Sequence, residues 1–420
     1  MDKTKISGFM KSKLFHNSAW LYTLQIFNTV VPLITLPYIT RVLGASGYGT
    51  FSYALNIIGY FQVIVNYGFD LTGSRKIAMA RNTSEISKTF SSITGTKLVL
   101  FFTSLLTFGI FLLFIPVSGD VAITTMLLFI MLLGESIQPT WLFQGLQEMK
   151  FITLVSVFTR LLSIMLIFMF IKEPGDIFVY TIIYAIIYLL NGFISLQVVN
   201  NKFKIRFLKI GKQDIWHEIK DGWQIFSTSF ASKIFAGIGI TILGLSSSTE
   251  IVGIYSAIYK IPTLIIMAYT PFGQVLFPFI SKKFDESFGN GLAIVKKIGS
   301  FITLMLLMLV GVVIFYSTPI VELLYGSEYS QYATVTIPLL IWSVLGILNN
   351  LMGIQVLVAS GHKESYAKIF QMIIFINISL NVGLGFWLGM YGVAFAALIS
   401  ETLLTILLFF KINNIKHRNP

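Results

Sequence analysis

Five charged side chains, Glu135, Arg160, Lys233, Lys260 and Glu401, stand in the middle of long apolar stretches. Near the centre of a bilayer each costs about 2.5–3.5 kcal/mol, so together they cost on the order of 12–17 kcal/mol. A helix that merely anchors would carry Leu at such positions. These groups are therefore expected to line a polar path or to bind something charged. Lys233, Lys260 and Arg160 would meet an anion, and Glu401, Glu135 and Asp70 would hold a coupling ion or act as counter-ions.

Their neighbours at helical spacing agree. Lys233 has Ser229 four residues before it and Gly237 and Thr241 four and eight after, a small and polar stripe. Arg160 shares its face with Ser156 and Ser163, and Lys260 shares its own with Ser256 and Thr263 just before Pro262. Gln25, Asn28, Asn56, Gln62 and Asn66 add uncharged polar positions that suit either a polar lining or helix-to-helix hydrogen bonds. Other readings stay open. Glu135 and Arg160 form a structural pair on sequential helices, Lys260 snorkels outward, and Glu401 is either a counter-ion to Lys233 or a proton or Na⁺ site. Asp70, close to Arg75 and Lys76, reads as one end of an interfacial ion pair.

No catalytic residue, cofactor or metal site is expected. Cysteine is absent and His16, His217, His362 and His417 are scattered, which leaves no metal-ligand spacing. No Gly-rich phosphate loop ending in Lys-Ser/Thr occurs, so ATP hydrolysis is not expected. A net charge of +12 would suit nucleic acid, but the cations sit in short loops between apolar runs, so no nucleic-acid partner is expected.

The elements that must position these groups are membrane helices. Of the 420 residues, 55% are hydrophobic and 11% charged, against about 25% charged in a soluble chain. Apolar runs fall near 16–38, 50–70, 92–115, 121–143, 151–171, 177–199, 223–245, 251–279, 298–320, 333–359, 366–388 and 391–411. Each suffices to cross a hydrocarbon core of about 30 Å. With both termini cytoplasmic, most Lys and Arg fall on the cytoplasmic side: before the first span, between the second and third (a group taken to include Lys97), and in the long loop after the sixth. The first run is too long for a signal peptide and reads as a retained helix.

That long loop divides the chain into two six-helix lobes, 1–210 and 211–420. Weak internal symmetry supports the division. Gly49-Thr-Phe-Ser opens the second span as Gly253-Ile-Tyr-Ser opens the eighth, and Gly145-Leu-Gln-Glu leaves the fourth as Gly361-His-Lys-Glu leaves the tenth. Six is even, so the lobes are parallel repeats, an arrangement used by transporters with a site between halves. The fold class is thus all-α membrane protein, with two parallel six-helix lobes around a central cavity.

Three segments carry a family resemblance: Leu36-Pro-Tyr-Ile-Thr-Arg-Val-Leu-Gly-Ala-Ser-Gly-Tyr-Gly49, Asn66-Tyr-Gly-Phe-Asp70, and Gln138-Pro-Thr-Trp-Leu-Phe-Gln-Gly145 with Glu148-Met-Lys150. The chain resembles the Wzx-type polysaccharide-repeat flippases of bacterial O-antigen and capsule pathways. Their superfamily also holds multidrug exporters and the lipid II flippase. The resemblance implies an oligosaccharide on undecaprenyl pyrophosphate, flipped from the cytoplasmic to the periplasmic leaflet of the inner membrane by alternating access. A polysaccharide polymerase and a chain-length regulator would be partners, and H⁺ or Na⁺ a coupling ion. It places Lys233 and Lys260 on helices that line the superfamily's cavity, and the pyrophosphate headgroup is the anion they would meet. Asp70 departs from the neutral residue common there, and Arg41 is expected to cap the turn after the first span. A cation or drug antiporter of the same superfamily and a membrane polymerase are the alternatives. The chain offers no large outer loop for a polymerase, and its in-span charges are as much basic as acidic.

Overall fold

The computed structural model describes residues 3–114 and 119–418. The side chains of the basic residues before the first span, and residues 115–118, lie outside the described residues. Regular structure among them is helical: α1 (Lys3–Asn66), α2 (Phe69–Met79), α3 (Thr83–Phe114), α4 (Gly119–Ile137), α5 (Thr140–Gly145), α6 (Met149–Phe170) and α7 (Ile177–Val198), which continues as a π-turn over Val199–Phe203. Then follow α8 (Lys212–Ser246), α9 (Thr249–Glu286), α10 (Phe288–Phe315), α11 (Ser317–Tyr325), α12 (Ser327–Ser330), α13 (Thr336–Asn350) with a π-helical continuation Leu351–Val358, and α14 (Lys363–Arg418).

Among the described residues, ten helices are long and apolar enough to cross a membrane. Two of them are far too long for one crossing. α1 has 64 residues and α14 has 56, whereas about 20 residues span the hydrocarbon. Each is broken by a glycine: Gly44 (φ 69, ψ 175) and Gly389 (φ 57, ψ −133). No atom lies within 4 Å of the place a Cβ would occupy at either one, so the backbone conformation, not packing, requires glycine. With the two breaks counted, the described residues offer twelve segments of membrane-crossing length, and the turn expected after Arg41 is the Gly44 break.

The helices group into two compact units, Met1–Leu43 with Thr50–Ile234 and Gly44–Gly49 with Phe235–Pro420. α8 is therefore shared between units, with Ile234 its last residue in the first. In the first unit α4 and α7 touch backbone to backbone. A Cβ on Gly134 would overlap the Tyr188 carbonyl, and one on Gly192 would overlap the Gly134 carbonyl. Small residues permit such an approach between membrane helices, and this one brings Glu135 into the core of the unit.

The segments that carry the family resemblance are places where the chain turns and packs. Tyr67 (φ 49) and Gly68 (φ 82) turn the chain from α1 into α2. Tyr67 then stacks on Phe226 of α8, with ring centroids 4.5 Å apart. Trp141 of α5 is 0% exposed and lies against Gly73 of α2, in a core with Phe69, Phe90 and Ile93. In the second unit Gly49 and Gly253, the two glycines paired by the internal symmetry, lie directly against each other. A Cβ on Gly49 would overlap the Thr249 carbonyl, and one on Gly253 would overlap the Ala45 carbonyl. Ala45 with Gly49, and Thr249 with Gly253, make two facing small-x-x-x-small pairs.

Candidate functional site

The first unit gathers its buried polar groups around Glu135, which is 7% exposed near the end of α4. Gln62 and Asn66, one turn apart at the end of α1, clamp the carboxylate. Gln62 Nε2 donates to Oε1 at 2.5 Å and Asn66 Nδ2 to Oε2 at 3.0 Å. Lys97 of α3, 4% exposed, donates from Nζ to the Glu135 backbone carbonyl at 2.6 Å. Three helices are thereby tied at one point, with a cation and an anion both removed from solvent.

Three expectations change here. Lys97 is not a loop cation but an interior residue of α3. The signal for it was its stripe: Thr94, Lys97 and Ser104 recur at helical spacing, and all three are buried. The pair between Glu135 and Arg160 is not formed, because amides satisfy the carboxylate while Arg160 stays half-buried on α6. Asp70 is exposed in the first turn of α2 and, among the described residues, makes no ion pair. Its expected partner Lys76 instead meets Glu218 at 2.8 Å and Asp221 at 2.9 Å, at the start of α8.

Lys233 lies half-buried on α8 against α1. Its ammonium is 5.5 Å from the centroid of the Tyr60 ring and occupies space that a side chain on Gly59 would fill. Of the other polar positions, Asn56 is buried at 6% exposure, and Gln25 and Asn28 are half-buried. Among the described residues Asn28 Oδ1 has no hydrogen-bond partner. Gln62 belongs to the Glu135 cluster, so it is already committed.

In the second unit Glu401 of α14 is 7% exposed and is held from α13. Asn349 Nδ2 donates to its carboxylate and, at 3.0 Å, to its backbone carbonyl. Thr405 Oγ1 donates in turn to Asn349 Oδ1 at 2.9 Å. Lys260 is exposed on α9.

A cavity of about 80 Å³ lies within this unit, lined by Gly239, Tyr255, Tyr259, Trp342, Asn377 and Asn381 among others. Asn377 and Asn381 are 3% and 2% exposed. The orientation of both amides is fixed by their donors. Asn377 Nδ2 donates at 3.0 Å to Ser400 Oγ, whose single proton goes to the Ala396 carbonyl. Asn381 Nδ2 donates at 2.9 Å to the Asn377 carbonyl. Both Oδ1 atoms therefore remain as acceptors without a partner among the described residues. Two neutral oxygens suit a cation or a proton donor and repel an anion. The cavity is also too small for a sugar chain. Sequence reasoning missed it because it followed charge, and both ligating candidates are uncharged.

Residues 14–284 match the family described as polysaccharide biosynthesis protein. A relative from Escherichia coli (strain K12), named for O-antigen transport, is 27% identical over 412 residues, covering 97% of this chain and 98% of its own. A relative from Shigella dysenteriae with the same kind of name is 23% identical over 391 residues, covering 93% and 98%. Among solved structures the chain is similar to a MATE family multidrug resistance transporter of the MOP superfamily in an inward-facing conformation. The TM-score is 0.70 at 13% identity, covering 93% of this chain and 99% of that one. It is also similar to the lipid II flippase MurJ in an inward closed conformation, with a TM-score of 0.69 at 15% identity, covering 95% and 87%. These structural likenesses carry the fold. The membrane-length helices of the described residues, that shared fold and a family match spanning residues 14–284 together show that the chain is a multi-pass membrane protein and belongs to the polysaccharide biosynthesis protein family.

Proposed function

We propose that the protein is a flippase for oligosaccharide units linked to undecaprenyl pyrophosphate. It carries them from the cytoplasmic to the periplasmic leaflet of the bacterial inner membrane by alternating access, with both termini cytoplasmic. The units would then pass to a polymerase and a chain-length regulator for O-antigen or capsule assembly. The observation that carries this reading is Lys233, a cation at mid-span in a slot that exists because Gly59 has no side chain. A charge kept at such cost implies an anionic cargo. A diphosphate is the anionic part of a lipid-linked saccharide, and the two relatives are named for O-antigen transport. Arg160 and Lys260 are the further cations assigned to that anion.

A second part concerns energy. The acceptor pair Asn377 and Asn381, with Glu401 on the neighbouring stretch of α14, is assigned to a coupling cation, H⁺ or Na⁺. A drug antiporter would instead leave a carboxylate open to its cargo. Here Glu135 and Glu401 are each clamped by amides of their own unit.

Deleting the gene tests the reading. Cells should accumulate the lipid-linked unit on the cytoplasmic face and lose surface polymer. Surface polysaccharide that persists without the gene would refute it.

A further inference from the structure

The segment between α7 and α8 and the first turns of α8 carry more exposed apolar surface and more uncompensated charge than a connection requires. Phe207 and Leu208 are 62% and 43% exposed, and Trp216 and Trp223 are 69% and 60% exposed. The segment is nonetheless firmly placed. Ile205 is 4% exposed in the core of the first unit. The Arg206 backbone N–H donates to Ser87 Oγ at 3.4 Å, and that of Leu208 donates to Ser91 Oγ at 2.8 Å. The backbone therefore faces α3, and Phe207, though 62% exposed, rests its ring 4.8 Å from that of Phe90 of α3, while Lys204, Arg206, Leu208 and Lys209 are exposed.

The charges are sorted in the same way. Asp214 accepts from the Gly211 N–H at 2.9 Å and lies 3.9 Å from Lys88. Glu218 and Asp221 are both engaged by Lys76, and Glu218 also accepts from Ser92 at 3.0 Å. Every acid of the segment is thus held by a group from α2 or α3. Lys204, Arg206, Lys209, Lys212 and Lys220 are exposed, and among the described residues none of them makes an ion pair. Along α8, Gln213, Trp216, Lys220 and Trp223 recur at three- and four-residue spacing, so one exposed face alternates tryptophan with cation.

Tryptophan and exposed cations on a connection between two membrane crossings match the chemistry of a bilayer interface. Indole settles at headgroup level, and Lys and Arg bind phosphate. We propose that residues 204–223 form a docking face for anionic glycerophospholipid headgroups of the adjoining leaflet. The five cations hold phosphates, and Leu208, Trp216 and Trp223 enter the boundary with the acyl chains. The face holds the first half of α8 against the bilayer surface, and this does not depend on what the protein transports. Charge complementarity favours lipid over a second copy of the chain, because two such basic faces would repel.

The absence of cysteine makes the test direct. An environment-sensitive thiol probe on Gln213→Cys, in the full-length protein in phosphatidylcholine nanodiscs, reports contact through quenching by brominated acyl chains. With about 30 mol% of the lipid brominated, brominated phosphatidylglycerol should quench about twofold more than brominated phosphatidylcholine. That preference should vanish between about 0.1 M and about 0.5 M salt, and in the K204E/R206E/K209E/K212E variant. Replacing Trp216 and Trp223 with Ala should reduce quenching by both lipids. Should the multiple variant fail to insert, the salt titration of the otherwise unaltered chain decides. Equal quenching by the two lipids, or a probe shielded from both in a dimeric protein, would overturn the proposal.

Discussion

Replacing Lys233 with Ala should reduce transport of the lipid-linked saccharide roughly 10- to 150-fold at unchanged membrane abundance, because a charge-assisted hydrogen bond contributes about 1.5–3 kcal/mol. Burial sets the upper part of that range, since attraction between charges strengthens as water is excluded. Lys233 is half-buried, with its ammonium 5.5 Å from the Tyr60 ring centroid and beside Gly59, so the unfolding midpoint in detergent is followed alongside transport to separate a loss of stability from a loss of substrate contact. Arg at the same position should recover only part of the activity, because Gly59 leaves space for a slender ammonium and not for a guanidinium fork. Transport in membrane vesicles, normalised to protein amount, measures both. Full activity in Lys233→Ala would remove Lys233 from the substrate path.

Replacing Lys97 with Met should act on stability instead. Removing one member of a buried charged network costs up to about 3–5 kcal/mol, because the Glu135 carboxylate keeps its two amide donors but is left in the interior without a countercharge. The Glu135 backbone carbonyl would also lose its 2.6 Å donor. Pairing this change with Glu135→Gln should restore much of the loss, since neither charge is then present and the amide still offers Gln62 an acceptor. The check is a thermodynamic cycle on apparent unfolding midpoints in detergent: the Lys97 single variant low, the double variant well above it. Additive losses would show that Lys97 and Glu135 do not share a network.

The twelve segments of membrane-crossing length were legible because a hydrocarbon core imposes a length and a composition that any window of sequence reports. Their joining into α1 and α14 was not, since a glycine that breaks a helix at positive φ looks in sequence like the other glycines that merely allow close packing. Gly49 and Gly253 show the opposite case. Short matched strings marked them as equivalent, and the structure places them in direct contact. For the site, charge was a partial guide. It drew attention to Glu135, Glu401 and Lys233 as in-span charges, while of the two uses open to Gln62 the structure shows a helix-to-helix hydrogen bond, to Glu135, and Lys97 was passed over because a lysine near a span boundary reads as a loop cation. Asn377 and Asn381 were hidden for a plainer reason. An amide oxygen becomes a ligand only when every donor near it is already committed, and that is a property of the folded network.

The reading is tested most directly by purified protein in liposomes with undecaprenyl-pyrophosphate-linked oligosaccharide in the inner leaflet. The saccharide newly accessible to an added glycosidase is then followed over time. Outer-leaflet saccharide should rise with the protein present, and far more slowly with Lys233→Ala. Exposure no faster than in protein-free liposomes, alongside active export of a cationic dye, would contradict it.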